Sequence, residues 1–242
     1  MKKLFSLLLL SLVTTVVMAQ QTIVYDNNVE PRSVAPFHAV RVSHGIEVLM
    51  KQGDEEGVAI SAATNEQRNA VKTEVVNGEL RIYIEQRMEK WWQQLRKNGV
   101  KVKAYVSFKN LDRFDGSSGS KTTIDGGLKG EKLSINLSSG AHLNGAVTAT
   151  VLDVDQSSGA KSSVEGRVQD LAITVSSGAK FNGYDLSADK VKANASSGGK
   201  MELSVAREMN ANASSGGAIN YKGEGSVSNV STSSGGKVRR GS

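Results

Sequence analysis

In the second half of the chain, apolar residues fall on alternate positions in short runs. Leu133, Ile135 and Leu137 make one such run, Leu171, Ile173 and Val175 another, and Val191, Ala193, Ala195 and Met209, Ala211, Ala213 repeat the pattern. A period of two puts each set on one face of a β-strand. Every run leads into the same triplet, Ser-Ser-Gly. Three residues past the Gly a second apolar position recurs as Leu143, Phe181, Met201, Ile219 and Val238. The pattern predicts a strand, a bend and a second strand for each triplet. One coil departs from it twice, with Gln156 following Leu152 and Val154, and with Ser162 at the second apolar position.

The triplet occurs seven times, and its closing glycines at 119, 140, 159, 178, 198, 216 and 235 are 21, 19, 19, 20, 18 and 19 residues apart. A near-constant period denotes an array of stacked units, and one of about 19 residues is too short for ankyrin or tetratricopeptide helix pairs. The Gly and Ser content of each unit argues against helix as well. The expectation is an all-β solenoid of parallel coils. Counting by twos places the second serine of each triplet beside the inward apolar positions, so the sequence predicts a ladder of Ser118-Gly119, Ser139-Gly140, Ser158-Gly159, Ser177-Gly178, Ser197-Gly198, Ser215-Gly216 and Ser234-Gly235. Coils of such a helix stack about 4.8 Å apart. The serine hydroxyls are then expected to face inward, each donating to one neighbour and accepting from the next. The glycine supplies a positive φ or a close approach at the bend. Seven equivalent copies without a matching base or a Gly-x-Ser-x-Gly spacing argue against a nucleophile.

Upstream the alternation continues less regularly, as Val40 and Val42, then Ile46, Val48 and Met50 across Gly45, then Leu80, Ile82 and Ile84, and finally Val100 and Val102 before Val106 and Phe108. These read as the first coils. "TNEQRNAVKTEV" holds a candidate helical turn. "EQRMEKWWQQLRKN" carries Met88, Trp91, Trp92 and Leu95 at helix-like spacing and contains both tryptophans. It reads as a helix or loop against the solenoid, and Trp91 and Trp92 are the candidate ligand contacts, since indole faces supply contact area at low entropic cost.

Composition narrows the class. Lys2 and Lys3, the apolar run from Leu4 to Val17 and the small residue Ala19 make a cleavable export signal over residues 1–19. The apolar run is shorter than the ~20 residues of a spanning helix. The organisation expected is a signal peptide at 1–19, a leader at 20–36 and one solenoid domain at 37–242. Within that domain, 37–110 holds irregular first coils with the Trp-bearing insertion, and 111–242 the regular repeats. There is no cysteine, which excludes disulfides and a lipid-bearing cysteine. The net charge of +6 becomes +4 once Lys2 and Lys3 depart, and it is spread over mixed-sign segments. That is a solvated surface with no basic groove for nucleic acid. His38, His44 and His142 lack metal-ligand spacing. Asp153 and Asp155 share a strand face, but no basic partner recurs beside them. No catalytic, cofactor or metal residue is assigned, and the chain is read as a non-enzyme.

Phe37-x-x-Val-x-Val, His44-Gly45-Ile46 with Val48 and Gln52-Gly53, the Gly78-x-Leu80-x-Ile82 strand, "VKAYVSFKNLD" and the Ser-Ser-Gly ladder together resemble the putative auto-transporter adhesin, head GIN domain family. The resemblance runs from Phe37 to the C-terminus. It implies a right-handed parallel β-helix that is exported, carries no established catalytic residues and serves as an adhesin or structural module in the periplasm, at the cell surface or outside the cell. Its partner would be a surface protein or glycan, with no nucleic acid and no transmembrane segment. Two alternatives stand beside it, a carbohydrate-binding or carbohydrate-cleaving β-helix, and an envelope component that self-assembles through the ends of its solenoid.

Overall fold

A computed structural model describes residues 28–85 and 102–241. Residues 1–27, with the predicted signal peptide, and residues 86–101, with Trp91 and Trp92, lie outside them. The chain is nearly all β, a parallel solenoid of about 7 turns spaced ~19 residues apart. Five long strands form its body, β9 (Lys121–Leu137), β10 (His142–Gln156), β11 (Lys161–Val175), β12 (Lys180–Ala195) and β13 (Lys200–Ala213). Each pairs in parallel with the next, so Val154 sits over Ile135 and under Ile173, and Leu143 over Thr122 and under Ser162. β14 (Ala218–Lys222), β15 (Ser226–Thr232) and β16 (Lys237–Arg240) make the last coils.

The alternating runs are inward. Leu133, Ile135, Leu137, Leu171, Ile173, Val175, Val191, Ala193, Ala195, Met209 and Ala213 are each 3% exposed or less. So are Leu143, Phe181, Met201 and Ile219 on the facing wall. Both walls narrow together along the stack: Val175, Ala195 and Ala213 align on one, and Phe181, Met201 and Ile219 on the other. The two polar exceptions explain each other: Ser162 Oγ donates to Gln156 Oε1 at 3.1 Å, inside a coil where both are buried. The hydroxyl and the amide oxygen satisfy one another where water does not reach.

The serine ladder differs from expectation. In every triplet the second serine has φ of 47–51° and the glycine 71–76°. The N–H of the following residue returns to the carbonyl of the first serine, as from Ala179 to Ser176 at 3.0 Å and from Gly199 to Ser196 at 2.8 Å. Two successive positive φ values closed by that bond define a type I′ turn. Its central residues stand outside the pleat, so Ser118, Ser139, Ser158, Ser177, Ser197, Ser215 and Ser234 are exposed rather than inward. The inward column lies one residue past each glycine, at Ser120, Ala141, Ala160 and Ala179, then Gly199 and Gly217. Backbone groups bond the turns to one another: Gly119 N–H donates to Ser139 O, Gly140 to Ser158 O and Gly178 to Ser197 O, at 2.9–3.1 Å. Ser43-His44-Gly45 is a further copy, with φ of 63° and 70°, and Gly45 N–H donates to Ser118 O at 2.9 Å.

The N-terminal end mixes directions. β2 (Ala39–Val42) and β8 (Arg113–Gly116) pair in parallel on one wall, with β6 (Glu79–Ile84) beyond β2. β3 (Glu47–Gln52) and β7 (Val102–Phe108) pair in parallel on the other. Outside them run three antiparallel strands: β4 (Gly57–Ala62) on β7, β1 (Val29–Arg32) on β4, and β5 (Val71–Val76) on β6. The segment read as a leader thus contributes edge strand β1. Asn77-Gly78, with φ of 52° and 75°, closes the two-residue hairpin between β5 and β6. The anticipated helical turn is α1 (Asn65–Asn69), capped by Thr64 Oγ1, which accepts from Gln67 N–H. Pro31 in β1 blunts an edge strand.

Candidate binding surface

Stacking in register converts each outward position of the coil into a column along the solenoid. Two residues before the first serine of each triplet, the register aligns Asp115, Asn136, Asp155, Thr174, Asn194 and Asn212. Asp153 and Asp155 both face outward from this wall, as their spacing predicted. Asp155 lines an open hollow of about 300 Å³ together with Arg41, Asp115 and Asn136. A second hollow, of about 210 Å³, is bordered by Asp153, Asp170, Lys190 and Lys192.

At the head of this wall three arginines and two carboxylates form one ion-pair network. Glu79 is 3% exposed, and its carboxylate accepts from Arg81 Nε at 2.8 Å and from Arg113 Nη2 at 2.6 Å, with Arg41 Nη2 at 3.1 Å. Arg41 also donates to Asp115 Oδ2 at 2.8 Å, and Asn136 Nδ2 to Asp115 Oδ1 at 2.8 Å. Burial alone would raise the Glu79 pKa, but the hydrogen bonds from Arg81 and Arg113 and the charges of Arg41 and Arg113 outweigh it and hold the carboxyl below its ordinary value. This is a closed network that pins β2, β6 and β8 together.

The other candidates take separate places. His38 Nδ1 lies 2.8 Å from Asp112 Oδ2 at the surface, while His44 occupies a turn with its pKa lowered by burial. No cluster of three His, Cys, Asp or Glu side chains suited to a metal ion occurs among the described residues. Phe114 and Phe181 are core residues, and Tyr184 lies beneath Lys222 Nζ, 5.1 Å from the ring centroid.

One column escaped the sequence reading. Two residues past each glycine the register aligns Lys121, His142, Lys161, Lys180, Lys200, Ala218 and Lys237. The signal was present as Ser-Ser-Gly-x-Lys or Ser-Ser-Gly-x-His in six of the seven repeats. Taken strand by strand, these lysines look like parts of a mixed-charge surface; only stacking collects them. Among the described residues none of the five lysines forms an ion pair, and all five are exposed.

The comparisons with known proteins agree with the architecture. The chain is similar to a putative adhesin from Bacteroides fragilis NCTC 9343, at 16% identity over 88% of this chain and 95% of that one, with a TM-score of 0.75. A putative adhesin from Parabacteroides merdae ATCC 43184 matches at 16% identity over 90% and 98%, with a TM-score of 0.69. A protein from Parabacteroides distasonis ATCC 8503 described as a putative lipid binding protein matches at 17% identity over 90% and 98%, with a TM-score of 0.68. At these identities the likeness is one of fold. A search of curated sequences returns no match. The model of the family described as putative auto-transporter adhesin, head GIN domain, matches residues 36–225, most of the chain, and the protein belongs to that family.

Proposed function

We propose that this protein is exported, its signal peptide at residues 1–19 being removed, and that it acts as a non-catalytic binding module of the cell surface. Its ligand would lie along the outer face of the solenoid rather than inside a pocket. The observation that carries this reading is the repetition of the outward positions: equivalent positions stack coil after coil, with the register shifting only at Ser163/Gly166, Gly183/Ser187 and Ala188/Lys190 in these pairings, which suits a ligand that is itself extended. Family membership supports a role in adhesion. The test is binding of labelled protein, residues 20–242, to whole cells and to extracted surface polymers, beside the Trp91→Ala/Trp92→Ala variant. Saturable binding supports the reading, and loss in the double variant with an intact β spectrum assigns contact to the tryptophans. Binding no stronger than that of an unrelated β-solenoid would refute it.

Self-association is a second reading, favoured by the C-terminal coil. There, among the described residues, β15 pairs with β13 alone and β16 with β14 alone, and Val230, stacked on inward Ala211, is 53% exposed. An uncovered strand edge with an inward-register apolar side chain left exposed invites another chain. Light scattering over a concentration series tests it, with Val230→Lys expected to abolish any rise in mass.

A further inference from the structure

The column Lys121, His142, Lys161, Lys180, Lys200 and Lys237 is the feature of the solenoid that its own packing does not explain. Successive coils lie about 4.8 Å apart, so the side chains emerge as a row, with lysine in five of the seven coils and His142 and Ala218 in the other two. Like charges directly opposite across a strand pair are destabilising. At its N-terminal end, the first lysine of the column included, the solenoid supplies a counter-charge. Glu47 sits between Lys103 and Lys121 in the register, and the arginines of the Glu79 network are bonded to carboxylates. From Lys161 to Lys200 the stacked position holds three lysines in succession with no ion pair among the described residues. The neighbouring outward column offers Thr123, Asn144, Ser163, Asn182 and Asn220, all neutral hydrogen-bonding groups, with Glu202 its single carboxylate.

We propose that this edge binds a linear acidic polysaccharide laid parallel to the solenoid axis. The ammonium groups would meet carboxylate, sulfate or phosphate groups spaced along the polymer, and the amide and hydroxyl column would meet its sugar hydroxyls. An extended ligand with a regular charge spacing is the one that can pair with many coils at once. Single-stranded nucleic acid fits less well, because its binding sites interleave cations with aromatic platforms, and no aromatic residue occupies either column between Lys121 and Lys237. The inference rests on the adhesive reading above and names the chemistry of its ligand.

The test uses residues 20–242 and polygalacturonate as probe, with dextran as the neutral control and oligo(dT) as the nucleic-acid control. The column variant is Lys161→Gln/Lys180→Gln/Lys200→Gln. The matched control is Lys109→Gln/Lys129→Gln/Lys132→Gln, exposed lysines outside both hollows, which removes the same charge elsewhere. Circular dichroism checks that both are folded. Parent protein is expected to bind polygalacturonate and not dextran, with affinity falling as salt rises. The column variant should lose at least tenfold in affinity and show a log–log salt slope shallower by about 2, since each neutralised charge contributes roughly 0.7–0.9. The control variant should bind like the parent. Equal losses in the two variants would reduce the effect to net charge and overturn the proposal, and so would absence of binding or tighter binding of oligo(dT). If the column variant still binds whole cells as the parent does, the lysine column fails while the adhesive reading survives. If the parent binds no cell, the adhesive reading itself fails.

Discussion

Alanine placed at two glycines in neighbouring turns separates backbone strain from steric exclusion. Gly178 has φ of 71°, and a Cβ built there meets nothing within 4 Å. Gly178→Ala therefore costs only the left-handed conformation, about 1–2 kcal/mol, partly offset by roughly 0.4–1 kcal/mol from a stiffer unfolded chain. A net loss of about 1 kcal/mol follows. Gly199 is the opposite case. Its φ is not in the left-handed region, but a Cβ would stand 2.3 Å from Val175 O and 2.6 Å from Val175 C. Those are backbone atoms, and Val175 O already accepts from Ser196 N–H at 3.0 Å. Relieving the overlap means overpacking strain of about 1–3 kcal/mol together with a weakened hydrogen bond worth about 1 kcal/mol. For a chain of this size 1 kcal/mol corresponds to roughly 2–4 °C, so thermal unfolding followed by circular dichroism should show a drop of about 3 °C for Gly178→Ala and about 9 °C for Gly199→Ala. Ser177→Gly in the same series should not lower the midpoint, because the hydroxyl it removes is exposed and glycine takes the φ of 49° without strain, which offsets its freer unfolded chain. A large loss in Ser177→Gly, on the order of 1–3 kcal/mol, would mean that the hydroxyls stack through hydrogen bonds after all. Equal shifts at Gly178 and Gly199 would refute the distinction between strain and exclusion.

Other outcomes follow from the polar contacts. Ser162→Val leaves Gln156 Oε1 without its donor and should destabilise by about 1–3 kcal/mol, while Gln156→Leu/Ser162→Val should cost less than the single change, as a double-mutant cycle in urea would show. The carboxyl of Glu79 is held below its unfolded-state pKa, so the stability it contributes is complete above about pH 4.5 and is lost as pH falls through the lowered folded value. Melting temperatures taken from pH 7 to pH 3 should therefore fall less steeply in Glu79→Gln than in the parent, with the variant already less stable at pH 7. The His44 pKa is lowered by burial, so folding favours the neutral ring. That contribution is present above about pH 6.5 and declines as pH drops below it, and His44→Asn, which tolerates the same positive φ, should flatten the Tm profile between pH 7 and pH 5.

The strands, the period and the inward faces were legible because a period-two pattern needs no knowledge of partners. The turn itself was not. Counting by twos from Val175 passes through Ser177 to Ala179 and Phe181, which are inward, but Ser177 and Gly178 are the central residues of a type I′ turn and lie outside the pleat, so the serine is exposed. Nor did the pattern distinguish the antiparallel strands. β4 and β5 are as apolar as their parallel neighbours, and only the Asn77-Gly78 turn announces one reversal. Gln156 and Ser162 looked like separate defects because six residues and a turn divide them, although the coil brings them to 3.1 Å. The lysine column was hidden in the same way, as a relation between coils rather than within one.

The hydrogen bonds that join coil to coil point along the solenoid axis, and this fixes how the protein yields to force. Tension applied along the axis pulls directly on those bonds instead of sliding strands past one another, so the ladder opens like a zip, a bond or two at a time. Opening starts at an end of the stack, where a coil has a neighbour on one side. Each coil released frees about 19 residues, or roughly 60 Å of slack chain. A tethered copy should therefore pay out in steps at low, nearly constant tension, absorbing sudden pulls by lengthening while its remaining coils stay bound.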